Sequence, residues 1–138
     1  KKIILDFGFK YDGMCIYDEK LYIKNFDKNI IIYDTINFAR KNEINLSYKI
    51  VGSEKKVPKV LWNKRSCIVY YPCNMFIDNN FIYIGNFHNI IFYNHNGTYF
   101  KKLIFEKSCK TCLFLVKDDL IYKPCDKSLV IYKQFGYN

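Results

Sequence analysis

One phrase is written three times in this chain, and it limits the fold more than any other feature. It first stands as Leu21-Tyr22-Ile23-Lys24-Asn25-Phe26-Asp27-Lys28-Asn29-Ile30-Ile31-Ile32-Tyr33. It returns as Ile82-Tyr83-Ile84-Gly85-Asn86-Phe87-His88-Asn89-Ile90-Ile91-Phe92-Tyr93, and again as Ile121-Tyr122-Lys123-Pro124-Cys125-Asp126-Lys127-Ser128-Leu129-Val130-Ile131-Tyr132. Each copy joins two short runs of β-branched and aromatic residues through a polar turn, which is the pattern of a hairpin. Self-similarity of this kind signals a repeat architecture, in which each unit buries its apolar face against a neighbour. Helix formers seldom cluster, and Ala occurs once, at Ala39. The expected class is therefore all-β, built from antiparallel meander repeats.

The second copy sits in the fullest unit. Residues 75–77 predict a first strand, Asp78-Asn79-Asn80 a turn, and 81–84 and 90–93 two further strands. His95-Asn96-Gly97 is a hairpin turn and 99–105 a fourth strand, because Asn-Gly accepts positive φ at little cost. The first unit reads in the same way. It has strands at 14–17, 21–24 and 30–33, a turn at Asp18-Glu19-Lys20, and a fourth strand near 44–50 after a loop. Residues 38–43 offer a short helical turn instead of part of that loop. The third unit has strands at 112–116, 120–122 and 129–132, a turn at Lys117-Asp118-Asp119, and no room for a full fourth strand. Ahead of the first unit, residues 1–9 alternate as one strand and Tyr11-Asp12-Gly13 reads as a turn.

These units fit one domain over residues 1–138. Repeat one spans 14–50, a basic insertion 51–73, repeat two 74–105 and repeat three 112–134. Tyr22 and Tyr83 are separated by 83 − 22 = 61 residues, whereas Tyr83 and Tyr122 are separated by 122 − 83 = 39. The insertion, with strands expected at 60–62 and 67–71, accounts for the longer spacing.

The units resemble β-propeller blades of the WD-repeat or NHL-like type. Asp27-Lys28-Asn29-Ile30-Ile31-Ile32-Tyr33-Asp34 is similar to the end of a WD blade, with Tyr33 in place of Trp. Asp126-Lys127-Ser128-Leu129-Val130-Ile131-Tyr132 follows the same pattern, but Lys133 stands where Asp is expected. His88-Asn89-Ile90-Ile91-Phe92-Tyr93-Asn94 departs further, and no unit carries the Gly-His pair near its start. The resemblance covers residues 14–132 apart from the insertion. It implies a partial propeller of about three to three and a half blades, fewer than the four to eight that close a ring. Such a chain is a segment of a larger propeller, pairs with another chain, or stacks as a small barrel or sandwich.

The formal charge is +9, from 22 basic and 13 acidic residues. A basic balance favours acidic partners: nucleic acid, an anionic membrane face or an acidic protein. With 20 Lys against 2 Arg, it equally fits surface lysines from an A+T-rich coding source. The candidate binding site is Lys55, Lys56, Lys59, Trp62, Lys64 and Arg65. There, cations for phosphates flank an aromatic that can stack on bases; the bland reading is a solvated loop with Trp62 in the core.

Six cysteines occur, at 15, 67, 73, 109, 112 and 125. Cys67, Cys73, Cys109 and Cys112 can supply four thiolates to zinc if the two pairs converge, although the first pair is spaced more widely than a usual knuckle. Packed thiols and disulfides are the other readings. His88 and His95 lie in or beside turns with no partner pattern for a triad, and no glycine-rich phosphate loop is present. The recurring acids Asp18, Glu19, Asp78, Asp118 and Asp119 occupy equivalent turn positions. The chain contains no run of about 18 apolar residues and no leader pattern at its start.

The expected function is a non-enzymatic protein-interaction or scaffold module in a larger assembly, without a cofactor, in an intracellular, cytoplasmic setting. The alternatives are a basic RNA- or ribosome-associated protein and a secreted, disulfide-bonded β protein.

Overall fold

A computed structural model describes residues 1–25, 29–47, 74–106 and 111–134. These residues form three antiparallel sheets and no helix. Sheet 1 contains β1 (Tyr11–Tyr17), β2 (Lys20–Asn25), β3 (Asn29–Asp34) and β4 (Arg40–Asn45). Sheet 2 contains β5 (Asn74–Ile77), β6 (Ile82–Gly85), β7 (Asn89–Tyr93) and β8 (Tyr99–Ile104). Sheet 3 contains β9 (Leu115–Lys117), β10 (Leu120–Cys125) and β11 (Ser128–Lys133). Within each sheet, every strand pairs with its neighbour in sequence.

The turns explain why short acidic and amide residues punctuate the phrase. Asp18 and Glu19 hold φ of 49° and 59°, and Asp118 and Asp119 hold 50° and 64°. Two successive left-handed residues make the tight hairpin turn whose twist matches that of the strands. Aspartate tolerates this conformation better than most side chains. In sheet 2 the equivalent loop is longer, and Asp78 Oδ1 accepts the backbone N–H groups of Asn80 (2.8 Å) and Phe81 (3.0 Å). Asn86 does the same between β6 and β7, accepting from His88 and Asn89 at 2.8 and 2.9 Å. Gly97 is required between β7 and β8. Its φ is +94°, and a Cβ there would lie 2.3 Å from the carbonyl oxygen of Asn45.

The sheets stack face to face with sheet 2 in the middle. One face of sheet 2 packs Met75, Ile77, Ile82, Ile84 and Tyr93 against Ile30, Ile32 and Leu46 from the sheet 1 unit. The other packs Tyr83, Ile90 and Phe92 against Phe114, Val116 and Ile121. Burial on both faces is why β6 and β7 read as continuous apolar runs rather than alternating ones. The first strands of sheets 1 and 2 are neighbours, and the residue that enters β9 lies beside the start of β5. A Cβ on Gly13 would touch Met75 Cβ at 3.4 Å. Tyr17 donates its hydroxyl to Asn79 Oδ1 at 2.7 Å, and Asn74 Nδ2 donates to the carbonyl of Phe114 at 3.1 Å.

Three local expectations are corrected. Residues 1–9 form no strand. Their alternation is genuine, since Leu5, Phe7 and Phe9 are half-buried. However, the Phe7 ring lies against Tyr33 of β3, 5.2 Å between centroids, so the segment crosses the sheet instead of pairing along its edge.

Tyr11-Asp12-Gly13 is not a turn but the start of β1, with its register shifted between Tyr11 and Gly13. The irregularity aims Asp12 at Lys24, whose Nζ lies 2.9 and 3.1 Å from the two carboxylate oxygens.

The fourth strand of the first unit comes earlier than expected, at Arg40–Asn45, and residues 38–43 make no helical turn. Asp34 ends β3 by accepting the N–H groups of Ile36 and Asn37 at 2.7 and 3.2 Å. Those two bonds hold its carboxyl below the usual carboxylate range. The strands expected at 60–62 and 67–71 lie outside the described residues.

Candidate functional site

The residues singled out in the sequence are largely not among those described. Lys55, Lys56, Lys59, Trp62, Lys64 and Arg65 all lie outside them, as do Cys67, Cys73 and Cys109. Cys112 is described: it is a half-buried thiol, and burial pushes it up from its ordinary value. Among the described residues, no group of three or more His, Cys, Asp or Glu stands close enough to hold a metal ion. Nor is any helix there long and apolar enough to cross a membrane.

The two histidines are engaged in the fold. The N–H of His88 binds Asn86, and its carbonyl accepts from Phe105 at 3.0 Å. His95 Nε2 lies 2.7 Å from the carbonyl of Asp78, and its ring packs edge-on against Tyr17. His95 also borders an open cleft of about 540 Å³ between sheets 1 and 2, with Lys20, Tyr22, Lys41, Glu43 and Asn96 along its walls.

Beside that turn, a buried polar network joins sheets 2 and 3. Tyr83 is fully buried. Its hydroxyl is 2.8 Å from Asp78 Oδ2 and 3.0 Å from Gln134 Oε1. A hydroxyl carries one proton, so it donates to Asp78, and turning the Gln134 amide lets that group donate to Tyr83. Burial first, then the hydrogen bond and charge of Asp78, raise the Tyr83 hydroxyl well above the ordinary tyrosine value.

A pH dependence follows. The unfolded chain ionises this group near about pH 10 while the folded chain keeps the proton. Its contribution is therefore complete below that pH, and above it stability falls by up to about 1.4 kcal/mol per pH unit. Tyr83→Phe is expected to cost about 1–3 kcal/mol at neutral pH and to flatten the alkaline decline. Urea midpoints measured across the alkaline range check this; parallel declines for the two proteins would contradict it.

The strongest surface feature emerges when equivalent rows of the three sheets are compared. Cys15, Tyr22 and Ile32 are aligned across β1–β3. Phe76, Tyr83 and Phe92 are aligned across β5–β7, and Leu115, Tyr122 and Ile131 across β9–β11. Alternation puts each row on one face, termed here the forward face. The opposite, backward faces carry Ile16, Leu21 and Tyr33; Ile77, Ile82 and Tyr93; and Val116, Ile121 and Tyr132.

The forward row of sheet 1 packs on the backward row of sheet 2, and the forward row of sheet 2 on the backward row of sheet 3. One row remains open at an end of the stack. On the forward face of sheet 3, Leu115 and Ile131 are 61% and 51% exposed, although their counterpart Phe92 is 1% exposed. The backward face of sheet 1 is covered over β2 and β3, where Ile23 and Ile31 are 0% and 3% exposed and Phe7 lies on Tyr33, while Met14 and Ile16 at its β1 edge stay exposed. Leu129 extends the open patch on sheet 3. The alternating pattern marked such residues as core. It carried no sign that the forward face of sheet 3 is left exposed.

No protein-family model matches the chain, and no curated protein matches it. Among solved structures it is similar to the computationally designed Ika4 protein, with 7% sequence identity, 93% of each chain covered and a TM-score of 0.48.

Proposed function

We propose that this chain is a non-enzymatic interaction module, a partial propeller of WD-repeat or NHL-like blades that works inside a larger assembly. The observation that carries the reading is the repeated row. On sheet 3, Leu115 and Ile131 are exposed at the positions where sheet 2 buries its counterpart Phe92. Contiguous apolar surface on a folded domain marks contact sites, and here the pattern of the interior says which face it is. The side-by-side first strands of sheets 1 and 2 support the propeller arrangement, since blades in a ring meet along their innermost strands. The role needs no cofactor.

Gentle extraction of cells expressing the tagged full chain, followed by size separation, tests the proposal. The tag is expected in particles well above 16.6 kDa, the mass of one chain. Recovery of all the tagged protein as a single free chain would overturn it.

A further inference from the structure

We infer that Asn96 is a site of spontaneous deamidation, and that the seam between sheets 1 and 2 decides when it reacts. Asn96-Gly97 is the one Asn-Gly step in the sequence. In such a step the Gly97 nitrogen attacks the side-chain amide carbon of Asn96, and no Cβ on the second residue obstructs the approach. The Gly97 nitrogen gives its proton to solvent, the new N–C bond closes a succinimide ring, and the side-chain nitrogen leaves as ammonia. Water then opens the ring at either carbonyl, which yields aspartate or isoaspartate.

Asn96 is exposed, yet the groups that must move are held. The Gly97 N–H donates to the carbonyl of Asn94 at 2.9 Å. Asn96 Oδ1 accepts from the N–H of Thr98 at 3.0 Å and from the Thr98 hydroxyl, which fixes the carbon to be attacked. The Gly97 carbonyl accepts from the N–H of Ser47 at 2.8 Å and from Ser47 Oγ at 3.3 Å. Ser47 Oγ also accepts the N–H of Tyr99 at 3.1 Å. Ile44 and Asn45, at the end of β4, occupy the space where a Gly97 Cβ would stand. Turning the Gly97 peptide onto the Asn96 side chain therefore breaks the bonds that fasten Ser47, in the first unit, to the turn between β7 and β8. The reaction waits for the seam to open there. Isoaspartate lengthens the main chain by a methylene group, so the turn does not recover its bonds to Ser47. Modified Asn96 is then a one-way record of opening.

The full chain, incubated in mildly alkaline buffer and mapped by mass spectrometry over time, tests the inference. Conversion at Asn96 in the folded chain is expected to be slower than in the guanidinium-unfolded chain by about tenfold or more, because the open form is a small fraction of the molecules. Ser47→Ala removes the hydroxyl bonds, keeps the backbone N–H, and is expected to convert several-fold faster than the folded wild type. Thermal unfolding checks that this variant is folded. A further arm needs no variant: guanidinium below the unfolding midpoint is expected to speed the wild type progressively, since opening the seam exposes surface. Asn96→Gln is expected to abolish the signal. Equal rates in the folded and unfolded chain would overturn the inference. So would a folded Ser47→Ala variant that reacts no faster than wild type, or a wild-type rate that stays flat in denaturant below the midpoint.

Discussion

Asp12→Ala is expected to destabilise the chain by about 3–5 kcal/mol, the range for removing one partner of a buried ion pair. Lys24 is only 7% exposed, and its ammonium rests on both oxygens of Asp12 at 2.9 and 3.1 Å. A third contact, to the carbonyl of Asn25 at 3.0 Å, carries no formal charge. Without the carboxylate, the ammonium remains desolvated and its positive charge uncompensated. The large cost comes from that orphaned charge rather than from the attraction lost. A control separates the two. Asp12→Ala combined with Lys24→Met removes both charges, keeps an apolar stem beside Gly13 and Met75, and is expected to recover most of the loss. Urea midpoints at constant slope report the difference. A single variant within about 1 kcal/mol of wild type would show that water reaches this pair.

Phe114→Ala is expected to cost a comparable amount, about 3–5 kcal/mol. The ring is 1% exposed and lies at the seam between sheets 2 and 3. It owes its position to Gly85. A Cβ on Gly85 would meet Phe114 Cε1 at 2.5 Å and Cδ1 at 2.7 Å, closer than carbon atoms approach. Gly85→Ala is therefore expected to cost about 1–3 kcal/mol by overpacking. In the Phe114→Ala background the obstruction is gone, so the same substitution is expected to be neutral or to recover stability by filling part of the cavity. The two sites must couple. Additive losses in the double variant would mean that the sheets separate enough to absorb a methyl group, and the seam is not close-packed.

The hairpins were legible because local chemistry specifies them. Asp18-Glu19 and Asp118-Asp119 adopt the positive-φ turn that their residue types allow, and the tyrosine rows fall into register from the phrase alone. Less legible was anything decided by neighbours distant in sequence. Leu5, Phe7 and Phe9 show which side of a segment faces the protein, but not whether its backbone pairs. Asp12 looked like turn punctuation because its ion-pair partner lies on the next strand. Gly85 did carry a signal, since glycine inside a strand often marks close approach, yet the ring that approaches lies 29 residues further on (114 − 85). Leu115 and Ile131 alternate like core residues, and only the stacking order exposes them. The basic segment around Trp62, the most conspicuous site in the sequence, lies outside the described residues, so the candidate surface rests on other residues.

Size separation of a gentle extract from cells expressing the tagged full chain, beside its Leu115→Lys, Ile131→Lys variant, tests the interaction-module reading most directly. The wild type is expected in particles well above the 16.6 kDa of one chain. The variant, altered only at side chains that are 61% and 51% exposed, is expected to shift toward the single chain. Recovery of the wild type as a free single chain, or identical particles for both proteins, would contradict the claim that the exposed row of sheet 3 is a contact surface.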